Sequence, residues 1–358
     1  MTRSRRFVSL PAIARFAILG LAMLAIAGAI IAVGPLQDYG GKHSRIGTDS
    51  DLYRSVAVRV EDGQGFYAAS VDEQVERGYP VRPAMTVREP TLTWLIAAVG
   101  GWRNATVPLA ALALLTGLAM VRRLEAIDPG RWFFALSGLG ALAAFGPYVG
   151  PVQVTQHECW AGLLVVLSLT IRTSERFVLA AAVGLAACFF RELAAPYLVL
   201  MAIAALAERR YREARAWVSA GCVFAALYAA HLVAVGRETS GSDPRSPGWL
   251  ARDGLPHVLE TIRLTTFASA GPDVLSVLIL VLGLLGWASV RSPLTSRVLA
   301  WVVFWVVISM FVGRPENIVW GFIWVGPLVL GLVLVPTAIR DLVAGNRGFR
   351  DLGTRQIS

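Results

Sequence analysis

Apolar residues fall in long blocks along this chain, broken by short stretches rich in arginine, glycine or proline. The blocks at 16–33, 104–121, 132–149, 159–171, 177–190, 193–207, 217–235, 272–290, 298–313 and 318–337 carry no more than one charge each. A bilayer core about 30 Å thick calls for roughly 20 apolar residues per helical crossing, so the pattern predicts an all-α polytopic membrane protein with about ten transmembrane helices. Residues 1–340 read as one integral membrane domain and 341–358 as a cytoplasmic tail. Two long polar intervals stand out, a first loop at 35–103 and a second at 236–271. Within the first, Leu52, Val56 and Val60 form one stripe with Tyr53 beside it, while Arg54, Arg59 and Glu61 fall elsewhere. That spacing predicts an amphipathic surface helix from Ser50 to Asp62, capped by Asp49 or Ser50. The apolar stretch 90–101 is too short to cross and predicts a helix dipping into the outer leaflet.

Arginine placement sets the expected orientation. The segment before 16 and the loops at 122–131, 172–176, 208–215 and 291–297 are arginine-rich, whereas the alternate loops hold a surplus of carboxylates. Cytoplasmic loops attract positive charge, so both termini and the arginine-rich loops are expected inside a bacterial inner membrane. This parity holds only if 177–207 is two short helices rather than one. The sequence FFRELAAPYLVL, with Arg191 and Glu192 adjacent inside an apolar run, marks the turn between them. Charges at membrane depth are costly and signal a partner, water or a function.

Composition agrees and narrows the field. The chain has 358 residues, 56% of them hydrophobic, with a mean hydropathy of +0.60. Its net charge of +9 is scattered through loops rather than gathered on one face, which argues against nucleic acid. Cys159, Cys188 and Cys222 have neither metal nor disulfide spacing and read as small membrane-core residues. The run from Phe16 to Val33 exceeds a signal-peptide core and reads as a retained first helix.

With that parity, the chemically able residues collect outside. Asp49 and Asp51 precede the surface helix; Arg88 and Glu89 precede the dipping segment. His157 and Glu158, Arg191 and Glu192, and Arg314 and Glu316 lie in three separate turns. Arginine offers a planar fork for phosphate oxygens, and a carboxylate at the membrane edge can serve as a general base. Such a set suits group transfer from a lipid phosphate, with Arg191 holding the donor phosphate, helped by Arg88 or Arg314. Plainer roles compete: Asp49 as a helix cap, Asp51 as a solvated first-turn acid, Arg191 as half of an internal ion pair, His157 as a structural histidine. Trp94, Trp102, Trp160 and Trp249 sit near expected interfaces, where aromatic belts form and one of them could stack on a sugar.

The stretch DSDLYRSVAVRVEDGQGFY (Asp49–Tyr67) resembles the first-loop signature of GT-C fold glycosyltransferases that use polyprenyl-phosphate sugars, most of all the mannose-dependent branch. It offers an Asp with a Tyr four residues on, small residues along a helix, then glycines and an aromatic pair. VREPTLTWLIA sits where that family has a Tyr-Pro-Pro-type stretch, here replaced by Arg88-Glu89-Pro90. FFRELAAPYLVL is similar to its Lys/Arg-Glu turn. The resemblance covers roughly the first 200 residues and implies an extracytoplasmic pocket in which Asp49 is the catalytic base. In some members Asp51 would complete a pair holding a divalent metal, Mg or Mn. The substrates implied are a polyprenyl-phosphate sugar and a lipid or glycan acceptor, with inversion at the anomeric carbon. Two other readings use much of the same chemistry: a polymerase or ligase acting on polyprenyl-diphosphate glycans, and a transporter or flippase, for which the expected internal repeats are not evident.

Overall fold

The computed structural model describes residues 5–33, 46–127 and 131–344. Among them the chain is helical, with three isolated β-bridges and no extended strand. α1 (Ala12–Val33) is followed by α2 (Ile46–Glu61), α3 (Phe66–Glu76) and α4 (Thr91–Ala98). Then come α5 (Trp102–Glu125), α6 (Arg131–Phe145), α7 (His157–Ile171), α8 (Phe177–Phe190), α9 (Ala195–Ala207) and α10 (Tyr211–Glu238). α11 (Gly254–Thr265), α12 (Val274–Ser289), α13 (Pro293–Ser309), α14 (Val325–Leu330) and α15 (Val335–Ala344) complete the chain. Three segments among the described residues are long and apolar enough to cross a membrane: Trp102–Glu125, Tyr211–Glu238 and Val325–Ala344. Several apolar helices are shorter, among them α7, α8, α12 and α13.

α7 is the centre of the bundle. It is apolar all round because it is buried nearly all round, packed against α5, α8 and the 3₁₀ turn Pro315–Ile323. That turn can come so close only because Gly162 has no side chain: a Cβ there would lie 1.9 Å from the Phe322 carbonyl oxygen. Small residues let helix backbones approach in the same way where Gly286 of α12 meets Gly331. Outward-facing positions are apolar on helix after helix, as at Leu114, Leu142, Val178, Val199, Val218 and Leu227. Such a surface suits lipid better than water.

Arg191 ends α8 in an extended conformation, and a 3₁₀ turn Glu192–Ala194 leads into α9, so the run 177–207 is two helices as expected. Other elements depart from the sequence reading. α2 begins at Ile46, which places Asp49 inside its first turn rather than at its cap. The Leu52–Val56 stripe is covered by Phe66 and Ala69 of α3, so it serves packing between helices, not a membrane surface. Residues 318–337 form no single helix. Pro315, Pro327 and Pro336 cannot donate backbone hydrogen bonds, and the chain passes through two 3₁₀ stretches before α15. α15 continues to Ala344, and Asp341 is buried and paired with Arg5 at 3.0 Å, so the chain from 341 begins in packed helix. The rest of the expected tail, 345–358, and the start of the first loop, 34–45, lie outside the described residues. α3 and α11 were not expected, being short helices within the polar intervals.

The antiparallel order of α7, α8, α9 and α10 gives the bundle two polar ends. His157, Arg191 and Glu192 share one end; Arg172, Glu208 and Glu213 share the other. They are separated by the length of α7, 15 residues or about 22 Å.

Candidate functional site

Four segments far apart in sequence enclose a cavity of about 80 Å³ at the His157 end. Asp49 and Tyr53 come from α2, Tyr79, Thr86 and Arg88 from the chain after α3, Ser246 and Trp249 from the interval before α11, and Arg314, Glu316 and Asn317 from the turn after α13. On that measure one water needs about 10–15 Å³, so the space is several waters in size.

Each polar wall residue has a distinct state. The Tyr79 hydroxyl donates to Asp49 Oδ1 at 2.8 Å, fixing the carboxylate toward the cavity. Arg314 Nε lies 3.5 Å from Glu316 Oε1, and the Arg314 amide donates to Asn317 Oδ1 at 3.0 Å, a tight turn that holds both charges at the rim. Arg88 is different. Its Nε is buried without a partner, and among the described residues its side chain makes no hydrogen bond or ion pair. The charges around it are those of Glu192, Glu158 and Asp49, and the Tyr53 hydroxyl lies near it. Arg88 therefore brings a guanidinium with free donors to the same cavity as the Asp49 carboxylate. Burial pushes the Tyr53 hydroxyl up to about 12, with Arg88 opposing and Asp49 assisting, so Tyr53 is neutral and able to donate.

A second polar layer lies behind Arg88. Arg191 Nε donates to Glu158 Oε1 at 2.6 Å and Nη1 pairs with Glu192; Arg191 and Glu158 are almost wholly buried. Arg191 does not line the cavity. Arg191 is taken by carboxylates, so the role expected of it as a phosphate holder is not met at the cavity, where Arg88 stands instead. His157 packs edge-on against Tyr53 at 4.8 Å, with neither ring nitrogen partnered. Glu89 is buried, and neither of its carboxyl oxygens has a partner. Burial first, and the neighbouring Glu192 carboxylate second, hold Glu89 well above the usual carboxylate range.

Asp51 stands apart. Its side chain is 60% exposed and pairs with Arg54 at 3.3 Å, while Arg54 also donates to the Pro151 carbonyl and covers the Trp102 ring at 4.1 Å. Two residues two positions apart on an α-helix point about 200° away from each other. Once α2 extends back to Ile46, Asp49 and Asp51 cannot converge on one ion. The donor set expected for Mg or Mn does not fit, and among the described residues no group of three His, Cys, Asp or Glu is placed to hold a metal.

Residues that sequence reasoning did not single out connect this cluster to the apolar surface. A groove of about 670 Å³ runs between α9 and α10, lined by Val199, Ile203, Leu206, Val218, Cys222 and Tyr228. The Tyr228 hydroxyl is buried without a partner, and the charges of Glu192, Glu89, Arg191 and Arg88 bear on it. Tyr228 stacks on His231 at 5.7 Å, and a ring nitrogen of His231 lies 3.2 Å from the Val87 carbonyl, next to Arg88. Tyr79 and His231 carry no sequence signal, because the groups they hydrogen-bond, Asp49 and the Val87 carbonyl, are 30 or more positions away. Cys222 faces this groove, whereas Cys159 and Cys188 are core residues as expected. Of the four tryptophans, Trp249 alone lines the cavity, Trp160 is buried on Phe190 at 5.4 Å, and Trp94 is half exposed. Comparison with protein families, curated proteins and solved structures finds no match for this chain.

Proposed function

We propose that this chain is an integral membrane glycosyltransferase that moves a sugar from a polyprenyl-phosphate donor to a hydroxyl acceptor on the extracytoplasmic side. One observation carries the reading: Asp49, a fixed carboxylate, and Arg88, a guanidinium with unused donors, face one small cavity that a polar chain joins to an apolar groove. In this account α1, α5 to α10, α12, α13 and the α14–α15 segment make ten passages through the inner membrane, with both termini cytoplasmic and the Asp49 end outside. The prenyl tail lies along the groove between α9 and α10, and the phosphate enters the cavity between Arg88 and Arg314. The sugar stays at the cavity mouth, where Trp249 offers an aromatic face.

The chemistry follows from that placement. Asp49 takes the proton of the acceptor hydroxyl, whose oxygen attacks the anomeric carbon from the face opposite the phosphate. The bond from that carbon to the phosphate oxygen breaks, and its electron pair leaves with the phosphate, held by Arg88 and Arg314. The configuration inverts. A departing phosphate is a stabilised anion, so no general acid is needed. Arg191 acts at one remove: locked between Glu158 and Glu192, it fixes the wall behind Arg88. Asp49→Asn, assayed in membranes with polyprenyl-phosphate and polyprenyl-diphosphate sugars, tests the assignment. Loss of transfer from the monophosphate donor is expected. Near wild-type turnover removes Asp49 from the role, and use of the diphosphate donor alone makes the enzyme a polymerase or ligase.

A further inference from the structure

The other end of α7 holds a second cavity, of about 360 Å³, that the transferase reading leaves unused. Arg123, Arg172, Arg210 and Arg291 line it together with Thr173 and Ser292, and among the described residues no carboxylate lines it. Two of the four arginines share one carboxylate behind them. Arg172 grips Glu213 through Nε and Nη2 at 2.7 Å each, and Arg210 Nε lies 2.8 Å from Glu213 Oε2. Glu208, the other nearby carboxylate, is held by Arg297 at 2.8 and 2.9 Å.

Arg123 and Arg291 have no such counter-charge. Among the described residues neither makes an ion pair. Arg123 donates through Nη2 to the Arg172 carbonyl at 3.2 Å, while its Nε is buried without a partner. Arg291 is exposed at the rim. The N-terminus of α13, a helix of 17 residues, ends at the same cavity through Ser292, Pro293 and Leu294, and its dipole adds positive potential there. Ala126, Ile127 and Val290 supply an apolar side. Surplus guanidinium charge, an oriented helix end and a partly apolar wall match one ligand chemistry, a phosphate ester.

We propose that this cavity binds a phosphate-bearing anion, with Arg123 and Arg291 holding its oxygens. The site lies about 22 Å from the Asp49 cavity, the length of α7, and does not depend on the transferase reading. The ligand is either a phospholipid headgroup from the adjoining leaflet or a free phosphate. Purified full-length protein, with Arg291→Gln and Arg123→Gln variants, is titrated with mixed micelles containing phosphatidylglycerol or phosphatidylcholine, and retained lipid is read by native mass spectrometry. Phosphatidylglycerol is expected to bind the wild type, and each substitution weakens it about fivefold, the effect of one arginine at an anionic surface. Competition by millimolar inorganic phosphate assigns the site to free phosphate as well; retention of lipid without competition assigns it to the headgroup. Equal retention of phosphatidylglycerol by wild type and Arg291→Gln overturns the proposal, and that variant changes an exposed side chain, so its fold is not at stake.

Discussion

The two ends of α7 both bury charge, but they treat it differently. At one end Arg172 and Glu213 meet two-pronged at 2.7 Å, and Arg297 holds both oxygens of Glu208. At the other end Arg88 Nε, both oxygens of Glu89 and both ring nitrogens of His157 are buried with no partner. Burying an unsatisfied polar group costs about 1–3 kcal/mol, and buried polar groups are mostly paired. At the Arg172 end Arg123 Nε and Arg297 Nε are also buried without a partner, but both carboxylates, Glu208 and Glu213, are held by arginines; paired carboxylates are explained by the architecture they hold together. An open set is not, and groups kept in costly states concentrate where chemistry is done. On this ground we propose the Asp49 end, and not the Arg172 end, as the reaction site.

The contrast can be broken in several places. The largest effect is expected from Asp49→Asn, which should lower transfer about 10²- to 10⁴-fold, the range for losing a general base, while thermal unfolding of the purified protein stays near wild type. An equal drop in stability would make Asp49 a structural residue. Next is Arg172→Ala at the closed end. It removes the two-pronged contact to the buried Glu213 carboxylate, leaving Arg210 as its partner, and should cost about 1.5–3 kcal/mol of stability in denaturation in detergent; a silent substitution would mean that the closed network holds nothing.

A smaller effect attaches to Glu89 and depends on pH. Its folded-state proton affinity is raised, so between the usual carboxylate pKa and the higher folded value the native state keeps a proton that the unfolded chain has lost. Stability is then full at low pH and falls as pH rises through that window, by about 1.4 kcal/mol per pH unit. Glu89→Gln should flatten the profile and leave the protein more stable than wild type at neutral pH; a matching fall in both proteins would place the titrating group elsewhere. The smallest effect is expected for Tyr79→Phe. It removes one hydrogen bond to Asp49, about 1 kcal/mol, and should slow transfer about fivefold without loss of fold.

Much of the helical layout was readable because bilayer-length apolar blocks and adjacent charges leave strong marks. Arg191-Glu192 inside an apolar run announced the break between α8 and α9, and the arginine-rich loops correctly grouped Arg123, Arg172, Arg210 and Arg291 at one end. What failed was local register and tertiary pairing. The N-terminus of α2 at Ile46 precedes the polar residues that looked like its cap, and this shift sends Asp51 outward. Proline and glycine in 315–336 divided an apolar block that hydropathy treats as continuous. α11 packs tightly against the turn Pro315–Ile323, yet its charged residues and modest length hid it in a polar interval. Asp49, Arg88, Arg314 and Glu316 were foreseen as site residues and do share a cavity. That Arg191 is spoken for by Glu158 and that Arg88 is left open depend on contacts 33 or more residues apart, for which a single sequence holds no signal.

Arg88 gives the most direct test. Polyprenyl phosphate is titrated into purified wild type and Arg88→Gln in detergent, with unfolding temperature followed in parallel. The account predicts that Arg88→Gln folds as well as wild type and binds polyprenyl phosphate about tenfold or more weakly, as expected for losing charge-assisted hydrogen bonds to phosphate. Unchanged affinity in a folded Arg88→Gln protein would contradict it.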